Sequence, residues 1–161
     1  TTQGGTTSRL KFNDNGSSIT TNQNQFWVNL PTATQFRIGS SDEINGSSYK
    51  YIAYFFATVA GISKVGSYTG TSSDLNVDCG FSAGARFVFI KRTDSNGDWY
   101  LYDSERGIVA GNDPYVRSNT SSAEVTNTDY IDPLSSGFTV TSSAPADLNA
   151  SSGTYIFLAI A

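Results

Sequence analysis

The chain has 161 residues, a net charge of −4, one Cys, no His and no Met, the size of one ordinary domain that buries about two-thirds of its unfolded surface. The acidic balance excludes a nucleic-acid module built on phosphate contacts. The missing His and the lone Cys exclude His-based triads, zinc fingers and disulfide frameworks, and the longest apolar run is about half of the ~20 residues that a membrane-crossing helix needs.

Thr1 to Ser8 is polar and Gly-containing and reads as a linker or arm, leaving 9–161 as a single β domain. The start at Thr1 without a Met is expected of a processed product or a piece of a longer chain. Arg9-Leu10-Lys11-Phe12 alternates and meets the turn signal Asn13-Asp14-Asn15-Gly16. Phe26 to Leu30 is a short apolar strand closed by Pro31, and Gln35 to Ile38 alternates again before a polar loop, Asp42 to Ser48. Tyr49 to Ala60 is the most apolar stretch and lacks a polar stripe. It reads as a central strand buried on both faces, with a buried helix as the alternative.

Lys64 to Thr69 is the next strand. Arg86 to Arg92, the turn Thr93 to Asp98 and Trp99 to Tyr102 form the clearest hairpin. Arg106 to Asn119 reads as loop. Tyr130 to Asp132, Gly137 to Thr141 and Thr154 to Ile160 complete about ten to twelve strands, with no long helix. Composition agrees: Val, Ile, Thr, Tyr, Phe and Trp supply 58 residues, against 37 for Ala, Leu, Glu, Lys, Gln, Arg and Met. Branched and aromatic side chains lose χ1 freedom in helices and pack well on pleated sheets. The expected fold is an all-β antiparallel sandwich of jelly-roll character.

The segment Asn45 to Ala57 echoes Asn149 to Ala161 at an offset of 104 without a gap, with six of 13 positions identical. Upstream, Phe36-Arg-Ile38 mirrors Phe138-Thr-Val140 after a two-residue insertion. Each copy reads as a strand, a polar Asn-x-Ser-Ser turn and an apolar strand, hence two related hairpins. The apolar end at Ala161 demands pairing, either at the centre of the sheet or by donation to a neighbouring subunit.

A resemblance rests on Tyr51-Ile-Ala-Tyr-Phe-Phe-Ala57, Lys64-Val-Gly-Ser-Tyr-Thr-Gly70, Phe87-Val-Phe-Ile-Lys-Arg-Thr-Asp94 with Trp99, Asp103-Ser-Glu-Arg106, and Leu148 to Ile156. From Arg9 to Ala161 the chain resembles a β-rich domain of tail-fibre-like and other structural proteins of bacteriophages, many from marine and cyanobacterial hosts. The resemblance implies a place on the virion surface, outside the cell, beside other virion proteins, with attachment to a host surface polysaccharide by analogy. Fibres of that kind are commonly trimers, so it also implies a homo-oligomer. The alternatives are a capsid decoration protein that binds no receptor and a fibre subunit that polymerises by strand donation. No catalytic or ligand residue transfers from the resemblance, and neither nucleic acid nor membrane insertion is expected.

The residues themselves favour binding over catalysis. Cys79 has no His to activate it and reads as an inert buried thiol. Glycoside cleavage needs two carboxylates at a set separation; Asp103 and Glu105 share a face if the strand continues that far, but Arg106 beside them suggests ion pairs. Asp94, Asn96 and Asp98 alternate as calcium ligands do, yet lack a following bidentate Glu and suit an ordinary turn. Sugars are held by aromatic faces with planar polar side chains around them. The candidates are Trp99, Tyr102 and Tyr115 with Asn96 and Asp98, and separately Trp27. Trp99 and Leu101 point opposite Tyr100 and Tyr102, so at least one of these pairs is expected in the core. Four sequons, at Asn15, Asn45, Asn119 and Asn149, are about what so Asn-, Ser- and Thr-rich a chain gives by chance.

Overall fold

The computed structural model describes residues 7–21, 25–26, 32 and 34–161. The elements run β1 (Thr7–Arg9), β2 (Ile19–Thr21), α1 (Asp42–Asn45), β3 (Ser63–Thr69), β4 (Leu75–Asp78), β5 (Phe87–Arg92), β6 (Trp99–Asp103), β7 (Val116–Arg117), β8 (Ile131–Leu134), β9 (Gly137–Val140), α2 (Ala146–Asn149) and β10 (Thr154–Ile160). Every strand pairing is antiparallel. The protein is an all-β antiparallel sandwich. It divides into two compact units: Thr1–Leu10 with Ser18–Phe55, and Lys11–Ser17 with Phe56–Ala161.

In the larger unit a five-stranded sheet, ordered β3-β10-β5-β6-β7, faces a three-stranded sheet, ordered β4-β9-β8. Side chains alternate between the faces of a strand. Tyr155, Phe157 and Ala159 of β10, Val88 and Ile90 of β5 and Tyr100 and Tyr102 of β6 therefore point into the core, where they meet Val77, Ile131, Phe138 and Val140. The Phe138 and Phe157 rings meet edge to face, centroids 5.4 Å apart. Close approach favours glycine at several positions, Gly137 and Gly66 among them. A Cβ at Gly137 would lie 2.1 Å from the Val77 carbonyl oxygen, and one at Gly66 would lie 2.7 Å from the Phe157 ring.

The hairpin read from Arg86 to Tyr102 is β5–β6, and the C-terminal strand is β10. That strand lies between β3 and β5 and pairs with both, so each of its edges is occupied within its own chain. Some readings are corrected. Tyr49 to Ala60 is neither a buried central strand nor a helix: no strand is formed from Lys50 to Thr58, and every residue from Tyr49 to Ala60 is exposed. Its apolar pattern suits a central strand, but the centre of the sheet belongs to its twin, β10. The Arg9–Phe12 strand is displaced to Thr7–Arg9, because Lys11 to Ser17 leaves the hairpin to lie on the larger unit. The Arg106–Asn119 loop contains β7, and the Asp42–Ser48 loop contains α1. The short strands β2 and β4 carry too little alternation to be read. Most of the Phe26–Leu30 strand, and Thr1 to Thr6 of the arm, lie outside the described residues.

The echo repeats a short helix and the turn after it, and not the two related hairpins that the sequence suggests: β9 and β10 lie in different sheets, and no strand is formed from Lys50 to Thr58. Each copy has a four-residue helix at the same offset, α1 and α2, followed by a tyrosine whose hydroxyl closes the turn. The Tyr51 hydroxyl accepts from the Gly46 N–H at 2.8 Å and donates to the Asp42 carbonyl at 2.6 Å. The Tyr155 hydroxyl accepts from the Ala150 N–H at 2.8 Å and donates to the Ala146 carbonyl at 2.6 Å. The turn asparagines match as well. Asn45 Nδ2 donates to the Gly39 carbonyl and Asn149 Nδ2 to that of Thr141, both at 2.9 Å. Upstream, the Gly39 N–H donates to the Phe26 carbonyl as the Thr141 N–H does to that of Tyr130.

Tyr155 is fully buried while Tyr51 is 46% exposed. Removing a buried hydroxyl strands two backbone groups at about 1–3 kcal/mol. Tyr155→Phe is therefore expected to lower the unfolding free energy by that amount and Tyr51→Phe by clearly less, measured by urea denaturation. Gly137→Ala is expected to cost about 1–3 kcal/mol through overpacking in the same assay.

Candidate functional site

The outer face of the five-stranded sheet carries apolar residues where an exposed sheet face ordinarily carries polar ones. Register aligns Val65 of β3, Leu158 of β10, Phe89 of β5, Leu101 of β6 and Val116 of β7 in one row across all five strands. Ile156, Lys91 and Trp99 form the neighbouring row. Phe89 and Trp99 stack at 5.0 Å between centroids, and Phe12 leans on both at 5.6 and 5.5 Å. Phe12 is 56% exposed, so this three-ring platform opens to solvent at Phe12.

The segment that brings Phe12 here is fastened at three points. The Trp99 indole N–H donates to the Lys11 carbonyl at 3.0 Å, and the Gly97 N–H to the Asn15 carbonyl at 2.8 Å. The Lys91 ammonium donates to the carbonyls of Gly16, Arg92 and Asn15 at 2.8, 2.9 and 3.3 Å. Lys91 is fully buried. Its burial lowers its pKa, against the opposing pull of Asp147, Asp14 and Asp98.

The residues read from sequence separate on this frame. Trp99 stands on the outer face as expected, and Asn96 is exposed at the tip of the β5–β6 hairpin. Tyr102 and Tyr115 do not join them: both are in the core, 0% and 3% exposed, because alternation along β6 sends Tyr102 inward and Tyr115 packs on Tyr100 and Tyr102. Their faces are not available to a sugar. The Asp98 carboxylate is engaged by Arg117 Nε at 3.1 Å and by Asn119 Nδ2 at 2.9 Å. Trp27 lies outside the described residues. The spacing of Asp94, Asn96 and Asp98 does not produce a cage. Asp94 is gripped by Arg92 and by the Thr154 N–H, and the bond from Arg92 holds its pKa down to about 2. Among the described residues no three His, Cys, Asp or Glu side chains gather in a way that would hold a metal ion.

Several other ionisable side chains are held in ion pairs. Arg106 pairs with Asp103 and with Glu124, and Arg86 with Glu105. Cys79 is buried, and burial pushes its thiol up to about 11, which leaves it protonated and unreactive at neutral pH. Sequence reasoning missed Asp113. Its buried carboxylate accepts from the Tyr130 and Ile131 N–H groups at 3.0 Å each and so ties the loop before β7 to β8. Nothing in the sequence flags it, since an Asp before Pro reads as a turn. A groove of about 460 Å³ also opens between β3 and β4, lined by Lys64, Ser67, Asn76, Asp78 and Phe157 among others. Among the described residues no helix is long and apolar enough to cross a membrane.

Burial raises the Asp113 pKa from 3.8 to about 7, against the lowering effect of the Ile131 and Tyr130 N–H groups, and Asp129 and Asp132 add to the rise. The folded state then holds a proton that the unfolded state has released between pH 3.8 and about 7. Stability attributable to this group falls as pH rises through that window and is level above it. Thermal unfolding against pH is expected to show this decline in the wild type and to lack it in Asp113→Asn.

Comparison with curated proteins and with solved structures finds no match for this chain. A family model matches residues 1–161, the whole chain, which therefore belongs to the family described as Domain of unknown function (DUF7483).

Proposed function

We propose that this domain is a structural module of a bacteriophage virion, displayed on a surface appendage outside the cell, and that it works by binding a host surface glycan rather than by catalysis. The observation that carries the reading is the Phe12–Phe89–Trp99 platform on the outward face of the five-stranded sheet. Aromatic faces stack on the C–H surfaces of sugar rings, and the exposed Asn96 tip nearby in sequence supplies a planar polar side chain. The engagement of the acidic residues in ion pairs and the inert state of Cys79 favour binding over turnover. The phage setting is supported by the resemblance carried by Tyr51–Ala57, Lys64–Gly70 and the β5–β6 hairpin. Association into homo-oligomers, with other virion proteins as neighbours, belongs to the same reading.

Trp99 also packs within the fold, so the exposed Phe12 gives the cleaner test. Wild type is expected to bind at least one host polysaccharide on a glycan array, and Phe12→Ala to weaken that binding roughly tenfold, about 1.4 kcal/mol, with thermal unfolding unchanged. Wild-type protein that binds none of the host's polysaccharides removes the glycan reading and leaves the capsid-decoration alternative.

A further inference from the structure

A sheet edge is a template for pairing with another chain unless the fold covers it. Among the described residues the two sheets of the larger unit end in β3 and β7, and in β4 and β8. On β3, Val59 exchanges both backbone bonds with Ser63 at 2.9 Å, and the Thr58 hydroxyl donates to the Val65 carbonyl at 3.3 Å and accepts from the Val65 N–H at 3.1 Å. Next to β7, Val125 and Tyr115 exchange both backbone bonds at 3.0 Å. On β8 the Ile131 N–H is taken by Asp113 at 3.0 Å, and Pro133 has no N–H to offer. β4 carries no such cover.

The Cys79 N–H donates to the Ser136 carbonyl at 2.8 Å. In the β4–β9 register that bond makes Leu75 and Val77 the residues whose backbone groups point to β9. The backbone groups of Asn76 and Asp78 point the other way, and among the described residues no bond reaches them. Asp74 and Asp78 stand exposed at the two ends of this edge. The Asp74 Oδ1 accepts from the Ser142 N–H at 2.7 Å and the Asp78 Oδ1 from the Gly80 N–H at 2.8 Å, but neither carboxylate is in an ion pair among the described residues.

We infer that the β4 edge is a docking strand for an extended segment of another protein, basic on one face and uncharged on the other. The segment adds to the three-stranded sheet beside β4. Its backbone bonds Asn76 and Asp78, and its lysine or arginine side chains meet Asp74 and Asp78. Alternation turns its remaining side chains inward, over the groove of about 460 Å³ between β3 and β4. There Gly66 contributes no side chain and Lys64 contributes a cation, so an uncharged side chain fits and a basic one does not. A second copy of this chain fits poorly, because like charges set opposite one another destabilise a strand pair. Two β4 strands paired antiparallel about Asn76 would set Asp74 against Asp78 at both ends, and paired about Val77 they would bring the two Asp78 side chains together diagonally. The edge belongs to a different sheet from the Phe12–Phe89–Trp99 platform, so this inference does not rest on the glycan reading.

Amide NMR of the full chain, titrated with a synthetic peptide that alternates lysine and valine, tests this. The Asn76 and Asp78 amides are expected to shift and to gain protection from hydrogen exchange, and a peptide that alternates glutamate and valine is expected to leave them unmoved. Asp74→Asn with Asp78→Asn keeps the side-chain oxygens that Ser142 and Gly80 use, so thermal unfolding is expected to be preserved. That double variant is expected to bind the lysine–valine peptide roughly fivefold more weakly, through loss of the cross-strand ion pairs. No response at the Asn76 and Asp78 amides overturns the inference, as does a response centred on Ser67 and Thr69 of β3, or equal binding by the double variant. Protection of Asn76 and Asp78 that grows as the chain alone is concentrated also overturns it, and makes the occupant a second copy. Phe12→Ala is expected to leave the peptide titration unchanged, so failure of the glycan reading and failure of this inference are separately visible.

Discussion

A tyrosine hydroxyl bonded twice to the backbone decides where the most apolar strand of this protein goes. The Tyr155 hydroxyl accepts a hydrogen bond from the Ala150 N–H and donates one to the Ala146 carbonyl, closing the turn after α2 from which β10 runs between β3 and β5. Asn149 holds the other side of that turn. Its Oδ1 accepts from the Thr71 N–H at 2.9 Å and its Nδ2 donates to the carbonyls of Ser73 and Thr141. Both residues are buried, so losing either would strand several backbone groups at once. The five-stranded sheet is assembled around the strand so delivered, and the two neighbouring outer-face rows that carry Phe89 and Trp99 run through β10, which pairs with both β3 and β5.

Repetition of this device in the first copy shows what a local motif can and cannot do. Tyr51 and Asn45 make the same kinds of bond over the same spacing, and the chain turns the same way. Yet Tyr51–Ala57 gains no ladder. The turn chemistry is local and travels with the sequence. The sheet neighbours are supplied by β3 and β5, which are not part of the repeated segment.

This explains how much of the architecture could be read in advance. The β5–β6 hairpin was legible because its alternation flanks an unambiguous turn at Thr93–Asp98, and β10 because it is a long apolar run after an Asn-x-Ser-Ser turn. Tyr49–Ala60 carries the same signals and forms no central strand, since periodicity reports that a stretch suits a sheet and not whether neighbours exist. At the candidate site, alternation placed Trp99 opposite Tyr100 and Tyr102. It could not bring Phe12 to Trp99, which depends on a contact between residues distant in sequence, nor send Tyr115 inward. The burial of Lys91 has no local signal either, because two of the three carbonyls around its ammonium, those of Asn15 and Gly16, belong to a segment far earlier in the chain.

The Lys11–Ser17 excursion has one more effect. The backbone passes from one compact unit to the other after Leu10, after Ser17 and again after Phe55. A protease that nicks the chain after Phe55 would therefore not release the smaller unit. Its fragment still contains the loop whose carbonyls surround the Lys91 ammonium, and pulling that loop away would strip a buried cation of its ligands. The chain crosses between the two units three times, so a single cut at Phe55 leaves two crossings intact.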